Sequence, residues 1–406
     1  MCKLISAKPD SAGKAAALAR SAQLTEFRWT PLRDVPTYTK AAGRTVLPAG
    51  VEVVGMPYSS TEPTDKFIAE NVSFETLLSA IANPDSVLYT KDLGGRNNAW
   101  AYYGIVCNGL VRYALGIHRR YNTMRWGDIP GMRQVAPRGA YSAEEIRLCD
   151  VLHAFGEGRN HVALITDILR DEDGVIRQIE VSEAARPSCR RACYDVEEYF
   201  EKFDPFALWR YDFIDDVPPY DDSADAMLAG FDSAAALPAI TVDNGDKSNY
   251  LYGEETVLSI FKEGQHTLEI RRNGTLIEKL EISAPCRLTR TFEAGYYTAS
   301  LAKAGESTEF CVNRPGISYE RSGDSVTVRA DACDPDSRIL YMDFRMKTSG
   351  KSEDPYRCSA LSRVEELSEE EIASGVITRE IPDDAGNFKV YFINRYGVWT
   401  HRMLFI

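Results

Sequence analysis

No run of about 18 apolar residues, the length a membrane-spanning helix needs, occurs anywhere in this sequence. Its first residues, Met1-Cys2-Lys3-Leu4-Ile5-Ser6, also lack the apolar core of a secretory leader. The expectation is a cytoplasmic chain, or an extracellular, cell-wall-associated one if a leader has been removed. Basic residues are in deficit, with 47 Lys+Arg against 60 Asp+Glu and a formal net charge of −13. Residues 1–200 balance at 24 and 24, whereas residues 201–406 hold 23 and 36. Nucleic acid is therefore not expected as a partner, since nothing in excess is there to neutralise phosphates. The nine cysteines include no CxxC pair, which removes support for a zinc ribbon or a thioredoxin-like redox motif. Cys189 with Cys193, and Cys286 with Cys311, leave disulfide pairing open. Histidine is scarce as well: His118, His153, His161, His266 and His401 are all there are.

What is present is a chain of 406 residues, more than one core usually holds, so two or three domains are expected. Residues 1–215 mix helical and strand patterns. Helices are predicted over 10–25, 73–81 and 195–203, and strands over 149–152, 161–169, 175–181 and 207–213. Residues 216–237 contain Asp216, Asp221, Asp222 and Asp225 with two prolines, and read as an acidic linker. Beyond it, short alternating runs with turns such as Asn273-Gly274 predict two small β-sandwiches, over 238–314 and 315–406. The charge run 365–371 reads as a solvated turn or helix face.

The stretch around Cys107 is the chemical focus of the first half. From Cys107 onward, Leu110, Val111, Ala114 and Leu115 fall on one helical face, while no helical periodicity leads up to it. Cys107 is thus placed at the first turn of a buried helix. There the unpaired N–H groups and the helix dipole favour thiolate, and the same groups can receive an oxyanion. Free cysteine is also among the most buried residue types, so this position alone does not make a nucleophile.

A cysteine nucleophile needs a base and a group that orients the base. His161 opens the run His161-Val162-Ala163-Leu164-Ile165 after a glycine-rich turn, and His153 is the runner-up. For the third member, Glu180 and Glu183 compete on the neighbouring strand. Side chains on a strand alternate faces, and Glu183 shares parity with the apolar Ile179 and Val181. A carboxylate that continues an apolar face needs a reason, and a bond to imidazole supplies one, so Glu183 is chosen.

Tyr103-Gly104-x-x-Cys107-Asn108-Gly109-Leu110-Val111, then Asp150-Val151-Leu152 leading to His161-Val162-Ala163-Leu164-Ile165, then Val181-Ser182-Glu183-Ala184, resembles the NlpC-type cysteine peptidases and their sister group, the cysteine–histidine amidohydrolase/peptidases. The resemblance covers roughly residues 50–185. It implies an α+β fold class: a papain-like cysteine hydrolase domain, helix packed on antiparallel sheet, followed by the two immunoglobulin-like β-sandwich domains. It further implies Cys107 as nucleophile, His161 as base and Glu183 as orienting group, with Tyr58, Tyr103 and Asn108 binding substrate. Val106 and Asn108 depart from the aspartate and serine that usually flank the cysteine. The implied activity is cleavage of an amide bond in a peptide or peptidoglycan fragment, with no metal or organic cofactor. The β-sandwiches would contact a wall component or a protein partner. Two other functions fit the same residues: an acyltransferase or transglutaminase-like enzyme, and a catalytically inactive binding or adhesion protein.

Overall fold

The computed structural model describes residues 4–40, 43–59, 74–91, 103–117, 121, 123–156, 159–233, 235–302, 304–314, 316–330, 338–347, 358–365, 367–383, 385–393 and 399–405. Two compact units divide them. The first draws on Met1–Ser60, Leu88–Arg96 and Gly104–Ala235, and the second on Thr61–Val87, Asn97–Tyr103 and Ala236–Ile406.

The first unit is centred on a seven-stranded antiparallel sheet. Its strands run Cys189–Asp195, Ile176–Ala184, Arg159–Arg170, Val151–Gly156, Ala207–Tyr211 and Met132–Ala136 in spatial order, with Ile5–Ser6 paired to Arg159–Arg170. Two features of the central strands position the site. His161 pairs with Ala154 while His153 pairs with Val162, so the two histidines sit on neighbouring rungs but on opposite faces. Between Ile165 and Asp167 the pairing with Ile176–Ala184 slips, a bulge that shifts the face each later side chain takes. Ser11 caps the Ala12–Thr25 helix by accepting from the Lys14 N–H at 3.3 Å. The Cys107–Ala114 helix packs on the Arg159–Arg170 and Ile176–Ala184 strands through Leu110, Val111 and Ala114, all fully buried.

The second unit is nearly all strand. Glu255–Arg272 and Thr275–Thr291 form a long hairpin, closed by Asn273-Gly274. The hairpin bends where the register slips between Ile260 and Gly264. The first half of the Glu255–Arg272 strand pairs with Ile240–Val242 and its second half with Gly295–Leu301. One sheet thereby wraps a core that includes Leu258, Ile260, Leu268, Ile270, Tyr297 and Phe310. A three-stranded sheet (Ile317–Ser322, Ser325–Ala330, Val376–Glu380) and a four-stranded sheet (Cys358–Glu365, Arg338–Lys347, Ala385–Ile393, Trp399–Phe405) share a second core around Val328, Met342, Phe344, Ile377 and Phe388. Two sheets closing on one apolar layer make a sandwich. The 365–371 charge run leads into a short helix, Glu369–Ser374, capped by Ser368.

The papain-like α+β class expected for the chain is corrected by this architecture, which is mostly β. The helix that opens at Cys107 has eight residues, and the longest described helix has 14. The apolar face of the helix that opens at Cys107 ends at Leu115, and strands supply most of the buried surface that follows. Residues 216–237, expected as a linker, are tied down up to Ser233. Arg20 donates to the carbonyls of Pro218 and Pro219 at 2.7 and 2.9 Å, and Ser233 Oγ donates to the Thr30 carbonyl at 2.9 Å.

Candidate functional site

Three segments of the first unit converge at the start of the Cys107–Ala114 helix. Ile105 N–H donates to the Pro57 carbonyl at 3.1 Å and Ser59 N–H to the Ile105 carbonyl at 3.3 Å, so Pro57-Tyr58-Ser59 runs beside Gly104-Ile105. Tyr58 N–H donates in turn to the Pro187 carbonyl at 2.8 Å. This approach is close enough to demand glycine at 104: φ is +89°, and a Cβ there would lie 2.4 Å from that of Ser59. Val106, extended at φ −103° and ψ 171°, offers no capping side chain, so the first turn of the helix faces the cysteine with bare N–H groups.

Cys107 is 8% exposed. Burial pushes its thiol up, yet the bond from His161, the charge of that imidazole and the N–H groups of Val162 and Asn108 together outweigh burial and hold it below the ordinary value. At four other cysteines the direction is opposite. Burial pushes up Cys149, to about 12, as well as Cys189, Cys193 and Cys286. The environment thus singles out Cys107.

His161 bonds Glu183 through Nε2, 2.7 Å from Oε2, which leaves Nδ1 for the thiol. Burial disfavours its charge, but bonds to Cys107 and Glu183 and their negative charge prevail, raising it to about 9. Phe206 packs edge-on against the ring, with centroids 6.1 Å apart. Glu183 is itself buried, which opposes its ionisation. His161 and Arg190 overcome this and hold it down at about 2. Arg190 Nε and Nη2 both donate to Oε1, at 2.9 and 2.6 Å, and Lys202 Nζ lies 3.7 Å from the same oxygen. A thiol, an imidazole, a carboxylate and a guanidinium form one continuous run.

The remaining candidates divide. Tyr58 lies within electrostatic reach of Cys107, and Arg186 stacks over its ring at 5.2 Å. Asn108 reaches the thiol by its backbone N–H, while its side chain donates to the Tyr121 carbonyl at 2.7 Å. Tyr103 is not brought to the site: it is buried, counts with the second unit and donates to Asp246 Oδ1 at 2.7 Å. His153 bonds the Thr123 carbonyl at 2.7 Å, stacks on Trp126 and meets Trp209 edge-on, and burial pushes its pKa down. Glu180 binds Thr166 and Arg191. His118 lies outside the described residues. Arg190 and Lys202 were missed from the sequence. The available signal was register, since Arg190 stands directly across the hairpin from Glu183. No group of three His, Cys, Asp or Glu among the described residues could hold a metal, and no described helix is long and apolar enough to cross a membrane.

No family model matches the chain, and no curated protein does. Solved structures to which it is similar include native alpha-2-macroglobulin from Escherichia coli spanning domains NIE-MG1, at 11% identity over 37% of this chain and 88% of that one, with a TM-score of 0.14. The CD2-binding domain of CD58 is similar at 10% identity, over 39% and 94% of the two chains, with a TM-score of 0.19. Fibronectin(III)-like modules of Clostridium thermocellum CbhA are similar at 16% identity, over 41% and 93%, with a TM-score of 0.16. These neighbours are immunoglobulin-like and fibronectin-like β-domains and not peptidases. The expected identity as a papain-like thiol protease of the bacterial cell wall is corrected on the mostly β architecture described above, and the β-sandwich around Val328, Met342 and Phe344 is the part that stands.

Proposed function

We propose that the first unit is a thiol catalyst of acyl transfer. Cys107 attacks the carbonyl of an amide or ester, His161 protonates the leaving group, and Glu183 fixes the imidazole for both steps. N–H groups at the first turn of the Cys107–Ala114 helix receive the oxyanion. The acyl group then passes from sulfur to water or to an amine, with His161 taking the acceptor's proton. The observation that carries this reading is the unbroken run from Cys107 through His161 to Glu183, around the described cysteine whose thiol is pulled down. Alkylation by iodoacetamide at pH 6, mapped by mass spectrometry, tests it. An unactivated thiol, with a pKa of about 8.5, is almost wholly protonated there. Selective modification of Cys107 supports the reading, and modification no faster than that of a free cysteine sinks it. Adding an amine to the activity assay then separates hydrolysis from transfer.

A second reading places the work in the β-domains of the second unit, as binding or adhesion modules for a protein or a surface component. It is favoured by the sandwich architecture and by the mildly acidic balance of residues 236–406, 21 Lys+Arg against 27 Asp+Glu. It asks nothing of Cys107, so an inert thiol with a partner retained by residues 236–406 would select it.

A further inference from the structure

The first unit contains a cavity of about 1080 Å³ along the C-terminal half of the Ala12–Thr25 helix. It exists because that helix presents alanine where a larger residue would fill the space: Ala19 and Ala22 form one wall. Tyr220, Leu228 and Phe231 form another, and Asp225 stands among them. Asp225 is half-buried, and its Oδ1 accepts from Gln23 Nε2 at 3.0 Å and from the Tyr220 hydroxyl at 2.6 Å. Both donors are neutral. Among the described residues no lysine or arginine pairs with this carboxylate, whereas the other lining carboxylates Glu26 and Glu52 are taken by Arg191 and Arg28.

A half-buried carboxylate held by two neutral hydrogen bonds has lost part of its water without gaining a cationic partner. A cation beside it restores that loss. The aromatic rings of Tyr220 and Phe231 in the same lining favour the same sign of charge wherever a ligand meets a ring face. The volume is that of a small-molecule site with a few convergent polar groups. We propose that this cavity binds a small organic cation, an ammonium group on an apolar body. The ammonium would sit on Asp225, with the body against Ala19, Ala22 and Leu228. The site is separate from the Cys107 run and independent of the function proposed for it.

Calorimetric titration of the full chain at neutral pH with phenethylammonium, 2-phenylethanol and 3-phenylpropanoate tests this. The expected result is saturable binding of the ammonium, binding of the alcohol weaker by about tenfold or more, and none of the carboxylate. Asp225→Asn should lose about tenfold or more in affinity for the ammonium. Ala22→Leu should abolish binding while leaving the melting temperature unchanged or raised, because it fills space and removes no bond. Cys107→Ala should bind as the parent does. Absence of saturable binding of the ammonium, equal binding of the alcohol, or undiminished binding in folded Asp225→Asn each overturns the proposal. Should Asp225→Asn fail to fold, Ala22→Leu decides, and retained binding there overturns it equally.

Discussion

His161 Nε2 and Glu183 Oε2 are 2.7 Å apart, and the carboxylate that makes this bond is only 5% exposed. Such a carboxylate stays ionised because Arg190 holds its second oxygen. The imidazole is thereby fixed with one nitrogen committed, so the other faces the thiol and the proton between sulfur and nitrogen has a defined path.

A pH window follows from the opposed shifts of the pair. Cys107 is drawn below its ordinary value and His161 raised to about 9, so thiolate and imidazolium coexist between the two. Turnover is expected to rise with pH as Cys107 ionises and to fall as pH passes about 9, where His161 loses the proton it donates. In His161→Ala, burial of Cys107 is no longer outweighed, so its thiol pKa moves up. Alkylation at pH 6 should then drop by about tenfold or more. An unchanged alkylation profile in that variant would mean that the two side chains are not coupled.

Glu183→Gln is expected to cost both activity and stability. With its folded pKa at about 2 against an ordinary 4.5, Glu183 contributes stability that is full above pH 4.5 and is lost as pH falls toward 2. The stability gap between Glu183→Gln and the parent should be on the order of 3 kcal/mol at neutral pH and close on acidification. Chemical denaturation at several pH values reads it directly; a gap that does not vary with pH contradicts the assignment. Arg190→Met should lower kcat with little change in KM, since it unsettles the carboxylate without touching substrate.

His153 and His161 should part company. His153 is wedged between Trp126 and Trp209 and bonded to a carbonyl. His153→Ala is therefore expected to lower stability by about 1–3 kcal/mol while sparing the alkylation of Cys107 at pH 6. Loss of alkylation with intact stability would reverse the two roles.

The strand parity of residues 179–183 was enough to put Glu183 and not Glu180 beside His161. Helical spacing after Cys107 was enough to set it at a helix start, because both depend on local periodicity. Tyr103 was misplaced for the same reason: four residues from the cysteine in sequence, it counts with Asp246 in the second unit and is buried against it there, and no local pattern records that. Arg190 depends on hairpin register, and the slip between Ile165 and Asp167 depends on a bulge. Neither leaves a periodic trace. The fold class erred because a two-turn helix beside a candidate nucleophile outweighed the strands that build the chain. The acidic stretch after residue 215 looked like slack linker because its bonds to Arg20, Gln23 and Thr30 reach back some 200 residues.

Gly104→Ala is expected to disable the site without unfolding the unit. A Cβ at this position would fall 2.4 Å from Ser59 Cβ and 2.9 Å from the Pro57 carbonyl, at a φ of +89°. The local strand must therefore move, and Cys107 is three residues on. Acid-range alkylation of Cys107 should fall while the melting temperature shifts by a few degrees. Parent-like reactivity would show that the Pro57–Ser59 segment does not position the thiol.

The composition of residues 216–237 suggests a clean cut near Pro218, and the structure argues against one. Such a cut removes Asp225 and Ser233, which hold Gln23 and Thr30. Moving the cut to Ala235 keeps those bonds but leaves a second difficulty. The Phe74–Ala82 helix lies within the first 235 residues, yet it counts with the second unit. There Asn83 Nδ2 donates to the Asn244 carbonyl at 3.1 Å and Val87 N–H to Asp246 Oδ2 at 3.0 Å. Its Phe74, Leu77, Leu78 and Ile81 are buried, and each such side chain is worth about 1.5–3 kcal/mol out of water. A fragment of residues 1–235 strands that apolar face. It is expected to self-associate or to require detergent, whereas the full chain stays monodisperse at the same concentration. Replacing Leu77 and Ile81 with glutamine in the fragment should restore solubility, and the same pair in the full chain should destabilise it. Size-exclusion chromatography with light scattering decides the matter: a monodisperse, cooperatively melting 1–235 fragment with native side chains would show that the helix does not need the second unit.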